Sequence, residues 1–562
     1  MRYTFLNIVL SILGGDILNT YDFDLNLQKV FYDYFKNIKG QNWKKWLDIS
    51  SSEEYEEAIF KNSGLSRDIL DEIYTKKTDP KEFSLNPQIF LKEKLESDNI
   101  SNLFSKNTSI VCHTSGTSGG DITKLKWFLI SDEFLNRVWV PGMQAIFESS
   151  GLCNNKSAVI FVPSRIKVDG LTKIDELNLI RLYTSEFSQR VVLSHIKPRS
   201  YLIDEYKNAT DIATIAKILA LDNISVISAP AATIIKWADI DKLKAGLEKS
   251  MNNKNWNNIE NEFFETIEFK KLYERIGIDN FAIEIQKRLS EALKDSTLIF
   301  SITSLSKDEW GKIRNFMGWN VGEEKFTNLY VGSEIGPFSG GINKEDMYRM
   351  YVFPLVYPII ERKGIKEFIS KTNDKYGVLL VSRPDVTPLI NIDTGDVLTI
   401  LDKEGLPKIS GEILRSGFKL KLEMKLEGFP NTTEFFAGDY FDINGIEVFN
   451  PRKMVSCMGQ RFGIEKDNPV LLVAGDSYKM ILPLENNKNA LIDKIKEEMP
   501  SCNVGLDIEE AIRNKKLLVE SGKTNVTSSI SHLELLEKVR QGNLPKGVLK
   551  KWPFYVLNIP QE

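Results

Sequence analysis

Between residues 109 and 382 short apolar runs rich in Val, Ile and Leu alternate with longer stretches of helical periodicity, and few architectures accept that order. The runs are Ala158–Val162, Val191–Ser194, Ser225–Ala229, Thr297–Ile302, Thr327–Tyr330 and Val378–Ser382, each about the length of one strand. Helices are expected between most of them, for example over Asp211–Leu221 and Phe281–Leu293. A capping box, Ser306-Lys307-Asp308-Glu309, signs one helix start directly after the run Leu298–Ile302. A helix between successive strands carries the chain back, so that the next strand runs in the same direction. The pattern predicts an α/β fold with mostly parallel sheets flanked by helices.

The flanks read differently. Residues 1–105 form a helical N-terminal part: Leu25, Val30, Phe31 and Phe35 share one helix face that Gly40 ends, and a second helix starts at Ser52. Glu53 and Glu54 stand in its first turn, where a negative charge suits the helix dipole, and Trp43 and Trp46 read as core between the two helices. Composition shifts near Gly428–Gly438. Beyond it come a strand over Phe441–Phe449, a helix over Pro451–Gly463 and strands at Val470–Ala474 and Met480–Leu484. A helix over Ala490–Met499 and a strand at Leu517–Glu520 complete a small α+β unit of βαββαβ type. The expected division is a large domain over 1–436 and a small mobile domain over 437–562.

Charge and rare residues narrow the chemistry. The chain carries 73 Lys+Arg against 77 Asp+Glu, so no basic excess points to nucleic acid. The cysteines Cys112, Cys153, Cys457 and Cys502 are scattered, with no metal-ligand spacing, which fits a reducing compartment. Only His113, His195 and His532 could serve a histidine relay. The apolar stretch Phe5–Gly14 is too short to span a bilayer and reads as a buried helix, so a cytoplasmic protein with no membrane span is expected.

The chemistry concentrates in Cys112-His113-Thr114-Ser115-Gly116-Thr117-Ser118-Gly119-Gly120, with Lys124 and Lys126 behind it. Glycines let backbone N–H groups approach an anion, hydroxyls add donors and lysine neutralises charge, so the stretch suits a polyphosphate. A flexible Ser/Gly surface loop is the plain alternative. A Walker P-loop is excluded because no Gly-Lys-Ser/Thr follows and the next segment, Leu125–Ile130, reads as a strand. Gly116-Thr117-Ser118-Gly119-Gly120 matches a serine hydrolase nucleophile elbow at Ser118 by letter, but that motif needs a strand-to-helix turn. A phosphate loop between two strands is left as the leading reading.

Thr114-Ser115-Gly116-Thr117-Ser118-Gly119, followed by Lys124, resembles the phosphate loop of the adenylate-forming enzymes: acyl-CoA synthetases, nonribosomal-peptide adenylation domains and luciferases. Tyr330-Val331-Gly332-Ser333-Glu334-Ile335-Gly336-Pro337 resembles their Tyr-Gly-x-[Ser/Thr]-Glu motif, closest to the phenylacetate-CoA ligase branch, and Thr394-Gly395-Asp396 their Thr-Gly-Asp motif. The resemblance implies that Thr114, Ser115, Gly116, Thr117, Ser118, Gly119 and Lys124 hold the β- and γ-phosphates of ATP. It also implies that Tyr330 stacks on adenine and that Asp396 accepts from the ribose hydroxyls. Ser333 would contact the α-phosphate or the substrate carboxylate, and Glu334 would ligate Mg²⁺. The implied activity is ATP- and Mg²⁺-dependent activation of a small carboxylic acid as its acyl-adenylate, then transfer to coenzyme A. Transfer to an amine, a carrier-protein thiol or a protein is one alternative, and a relative that binds nucleotide or acyl ligand without turnover is another.

The chain departs from the family pattern in two places. Phe436 stands where the family carries a ribose-binding arginine, for which Arg415 is a candidate substitute, and the hinge acid becomes Asp439. The C-terminal catalytic lysine, usually in Gly-Lys, falls in Leu544-Pro545-Lys546-Gly547. Lys546 is the first assignment, Lys550 the second and Lys523 of Gly522-Lys523 the third.

Overall fold

The computed structural model describes residues 41–84, 109–113, 126–163, 179–252, 264–301, 307–342, 350–373 and 376–402, with 31, 32, 35, 38 and 40. Beyond 402 it describes the strands given below, with 493, 514 and 515. The helices expected over Pro451–Gly463 and Ala490–Met499 lie almost wholly outside these residues, and of the expected hinge near Gly428–Gly438 the described part, Thr432–Ala437, is a strand.

Helix α1 (Ser52–Ser63) begins where the sequence places it, with the Ser51 hydroxyl accepting from the Glu54 N–H at 3.1 Å. Gly64 ends it in the left-handed region, φ 73°. Helix α2 (Leu70–Thr75) follows. Trp43, Trp46, Tyr55 and Ile59 are buried, and the Tyr55 hydroxyl donates to the Val352 carbonyl at 3.0 Å. The N-terminal helices are thus part of the large core.

Strand β1 (Ser109–His113) pairs antiparallel with β2 (Trp127–Leu129), His113 facing Trp127. The residues between them therefore join two strands, which is the context expected of a phosphate loop rather than of a nucleophile elbow. After helix α3 (Val140–Ser149) and strand β3 (Ser157–Val162) comes β4 (Leu179–Tyr183), parallel to β1. Helix α4 (Thr184–Ile196) follows without a break.

The alternation then runs β5 (Ser200–Glu205), α5 (Ile212–Leu219), β6 (Ile224–Ser228), α6 (Ala231–Ala238), α7 (Ile240–Asn252) and α8 (Phe264–Leu293), the last broken by a kink at Gly277. Strand β7 (Thr297–Ser301), α9 (Lys307–Met317) and β8 (Phe326–Gly332) close it. Strands β5, β3, β6, β7 and β8 lie side by side and parallel, flanked by helices. The parallel half is buried on both faces. Ala158, Ile160 and Val162 of β3 pack with α3 and α4, whereas Val159 and Phe161 pack with α5, α6 and α8. That two-sided burial is why its strands read as continuous apolar runs instead of alternating ones.

The same sheet continues antiparallel through β9 (Gly336–Gly340), β10 (Tyr351–Val352), β11 (Tyr357–Arg362), β12 (Ile365–Phe368), β13 (Tyr376–Arg383), β14 (Leu389–Asp402) and β15 (Ser410–Arg415). From β8 the order is β9, β10, β15, β14, β13, β11, β12. A second, six-stranded mixed sheet runs Phe418–Glu423, Thr432–Ala437, Tyr555–Asn558, Leu471–Ala474, Tyr478–Leu482, Leu517–Ser521. The molecule is an α/β protein with a parallel, helix-flanked sheet and a separate second sheet.

Two expectations are corrected. Val191–Ser194 is not a strand but the buried middle of α4, because a run as short as Val191-Val192-Leu193 fits a helix face as readily as a strand. Phe441–Phe449 is not one strand but a hairpin, Tyr440–Ile443 against Ile446–Phe449 with Ile443 facing Ile446. The two residues between are Asn444 and Gly445, the dipeptide that favours a tight hairpin turn because both positions accept φ > 0.

Candidate functional site

Two of the sequence-predicted site segments meet at one place. Tyr330 lies near the carboxyl end of β8, Ser333 and Glu334 in the turn that follows, and Asp396 in β14. Strands β8 and β14 are separated by β9, β10 and β15. In a flat sheet four strand spacings would put them about 19 Å apart. The Tyr330 hydroxyl nevertheless donates to Asp396 Oδ2 at 2.5 Å, so the antiparallel half curls back on itself and the contact closes its concave side.

Each residue is held from below. The Tyr330 ring stands edge-on to Phe338, centroids 5.9 Å apart. Burial pushes its hydroxyl well above the usual tyrosine range, and the Asp396 charge adds to that, so it stays a neutral donor. Around Asp396, the Thr394 hydroxyl donates to the Leu379 carbonyl at 2.9 Å and accepts from the Asp396 N–H at 3.1 Å. Gly395 supplies the left-handed backbone, φ 68°, that the turn needs. In register, Asp396 faces Arg415 of β15.

The Ser-Glu turn depends on a second glycine. Gly336 has φ 73°, and a Cβ there would meet Val138 Cγ1 at 3.0 Å and the Phe134 ring at 3.2 Å. Ser333 is buried and shares a hydrogen bond with the hydroxyl of Thr184, the first residue of α4. Lys126, immediately before β2, places Nζ 3.8 Å from Glu334 Oε1. Burial raises the Glu334 carboxyl above its ordinary range, while the Lys126 and Arg383 cations pull it back down.

Arg383, at the end of β13, is buried, with its guanidinium 3.7 Å from the Phe134 ring centroid and bonded to Asp385 at 2.5 Å. Its Nε has no partner among the described residues, and burial lowers its pKa to about 10. Neither Thr184 nor Arg383 was singled out from sequence. No local signal marks them, since each acts through a neighbour far along the chain.

Among the described residues no group of three or more His, Cys, Asp or Glu gathers as a metal site. A lone carboxylate such as Glu334 still suits Mg²⁺, which usually takes one or two protein carboxylates and fills its sphere with phosphate oxygens and water. Thr114, Ser115, Gly116, Thr117, Ser118, Gly119, Lys124, Asp439 and Lys546 lie outside the described residues, and Phe436 falls within strand Thr432–Ala437. No helix among the described residues is long and apolar enough to cross a membrane.

No family model and no curated protein matches the chain. Among solved structures, it is similar to the acyl acid amido synthetase GH3.15 in complex with 2,4-DB, at 14% identity over 95% of this chain and 98% of that one, TM-score 0.45. It is similar to acetoacetyl-CoA synthetase from Streptomyces lividans at 10% identity over 74% of this chain and 52% of that one, TM-score 0.36. It is also similar to the anthranilate CoA ligase AuaEII in complex with anthranoyl-AMP, at 10% identity over 77% and 67%, TM-score 0.35.

Proposed function

We propose that this protein is an AMP-forming ligase that activates a carboxylic acid with ATP and passes the acyl group to coenzyme A. The observation that carries this is the meeting of Tyr330, Glu334 and Asp396, from stretches up to 66 residues apart, with Lys126 from behind the loop set against Glu334. In the first half-reaction a carboxylate oxygen attacks the α-phosphorus, the bond to the bridging oxygen breaks, and pyrophosphate leaves. In the second the thiol sulfur attacks the acyl carbon and AMP departs. No protein nucleophile is needed, which agrees with three histidines and four cysteines in 562 residues.

The residues divide the work. Thr114–Gly119 and Lys124 hold the terminal phosphates, and Lys126 adds a cation beside them. Tyr330 packs adenine and Asp396 takes the ribose, with its cross-strand partner Arg415 substituting for the arginine that Phe436 replaces. Ser333, braced by Thr184, contacts the α-phosphate or carboxylate, and Glu334 holds Mg²⁺, which supplies charge neutralisation at the phosphates. Lys546 enters from a C-terminal unit over 437–562 that turns about Asp439, and the enzyme works in the cytoplasm.

The test is pyrophosphate release across a panel of acids, alone, with coenzyme A and with an amine acceptor. Acid-dependent release with thioester supports the full proposal. Release with amide but no thioester replaces the acceptor, and ATP binding without release for any acid overturns the ligase assignment.

A further inference from the structure

Gln189 carries a hydrogen-bonding group that the fold does not use. It sits on α4, five residues beyond Thr184, and is 7% exposed. Its Nε2 donates to Ser228 Oγ at 3.0 Å, and Ser228, itself 4% exposed, is the last residue of β6. Its Oε1 is buried and has no partner among the described residues. A buried amide oxygen without a partner is costly and uncommon, and is retained where something else supplies the bond.

The position is informative. In an open parallel sheet ligands bind beyond the carboxyl ends of the strands. Ser228 ends β6, β7 lies beside it, and β8 beyond that leads into the Ser333–Glu334 turn. Helix α4 spans the interval: Thr184, its first residue, bonds Ser333, and Gln189 lies about 7.5 Å along the axis at 1.5 Å per residue. One helix thus links the residue placed at the reacting carboxylate with an unsatisfied amide that lies at least about one aromatic ring's length further on, on a face turned by about 140°.

We propose that Gln189 is a specificity-determining residue, accepting a hydrogen bond from a hydroxyl or amino group at the far end of the acid. Ser228 fixes the amide so that its oxygen faces that group. The substrate class is then a carboxylic acid with a terminal donor, such as a para-hydroxylated or para-aminated aryl acid or an ω-hydroxy acid of similar length. This rests on the ligase assignment above. A site built to bond a polar group discriminates against the analogue lacking it, because the acceptor is left unpaired.

The experiment measures kcat/KM for pyrophosphate release by the full chain with matched acids: benzoate against 4-hydroxybenzoate and 4-aminobenzoate, 3-phenylpropionate against its 4-hydroxy form, and hexanoate against 6-hydroxyhexanoate. At least one substituted acid is expected to exceed its plain partner by about 10- to 100-fold, and Gln189→Leu to bring that ratio close to one. Leucine removes an unpaired oxygen at similar volume but also the bond to Ser228, so the melting temperature is measured beside the ratio. Plain acids turned over as well as or better than their substituted partners, or a ratio unchanged in Gln189→Leu, overturns the role of Gln189 and leaves the ligase assignment standing. Release with no acid of either kind overturns both. Where Gln189→Leu does not fold, Gln189→Met, which likewise lacks the amide oxygen, makes the same comparison.

Discussion

The hydroxyl of Tyr330 and the carboxylate of Asp396 are joined by a 2.5 Å hydrogen bond across a curled sheet in which three strands separate β8 from β14. A contact of this kind fixes the spacing between two elements that backbone pairing alone would leave free to breathe. It sets the distance between an aromatic ring suited to a base and a carboxylate suited to a ribose before any nucleotide arrives.

That relationship predicts an ordered pair of effects on ATP. Asp396→Asn removes the charged acceptor and should raise the KM for ATP by about 10- to 100-fold in acid-dependent ATP–pyrophosphate exchange. Tyr330→Phe keeps the ring and the carboxylate and loses only the bond between them, so a smaller rise of about 3- to 10-fold is expected. A larger effect from Tyr330→Phe than from Asp396→Asn would mean that the hydroxyl does more than position.

Two glycines with nearly the same backbone should differ sharply in cost. Gly336 (φ 73°) and Gly364 (φ 78°) are both left-handed, but a Cβ at Gly364 meets nothing within 4 Å, whereas one at Gly336 meets Val138 and Phe134. Gly364→Ala should cost about 1–2 kcal/mol for conformation alone. Gly336→Ala adds overpacking, for a total of about 2–5 kcal/mol. Urea midpoints of the two variants check this.

His195, in the last turn of α4, gives a pH dependence. Burial lowers its pKa; the Glu148 charge opposes that and the Lys197 charge reinforces it. The unfolded chain therefore takes up this proton first as pH falls below the usual value of about 6.5. Stability from this group is full above that pH and is lost as pH falls toward the depressed folded value. Between pH 8 and pH 5.5 the urea midpoint of wild type should fall further than that of His195→Asn.

The proposed site was marked in sequence by segments that carry particular letters. Tyr330, Ser333, Glu334 and Asp396 stand in short motifs, and the structure gathers the segments that bear them. The expected strand after the loop is present as β2, paired antiparallel with β1. What supports these residues was not legible. Thr184 reaches Ser333 across 149 residues of sequence, and Arg383 stacks on Phe134, so no local pattern records either contact. The Val191–Ser194 run failed because short apolar stretches have no decisive period, and length decides only once the whole of α4 is visible. Curling of the antiparallel half follows from the register of eight strands together, which no window of sequence contains.

The most direct test of the central claim is acid-dependent pyrophosphate release by wild type and by Glu334→Gln, each titrated with Mg²⁺. The variant keeps the shape of the side chain and removes the charge set against Lys126. Release that depends on both acid and Mg²⁺ in wild type, and that drops by at least about 100-fold in the variant, is the predicted result. No acid-dependent release from wild type, or release undiminished in Glu334→Gln, would contradict it.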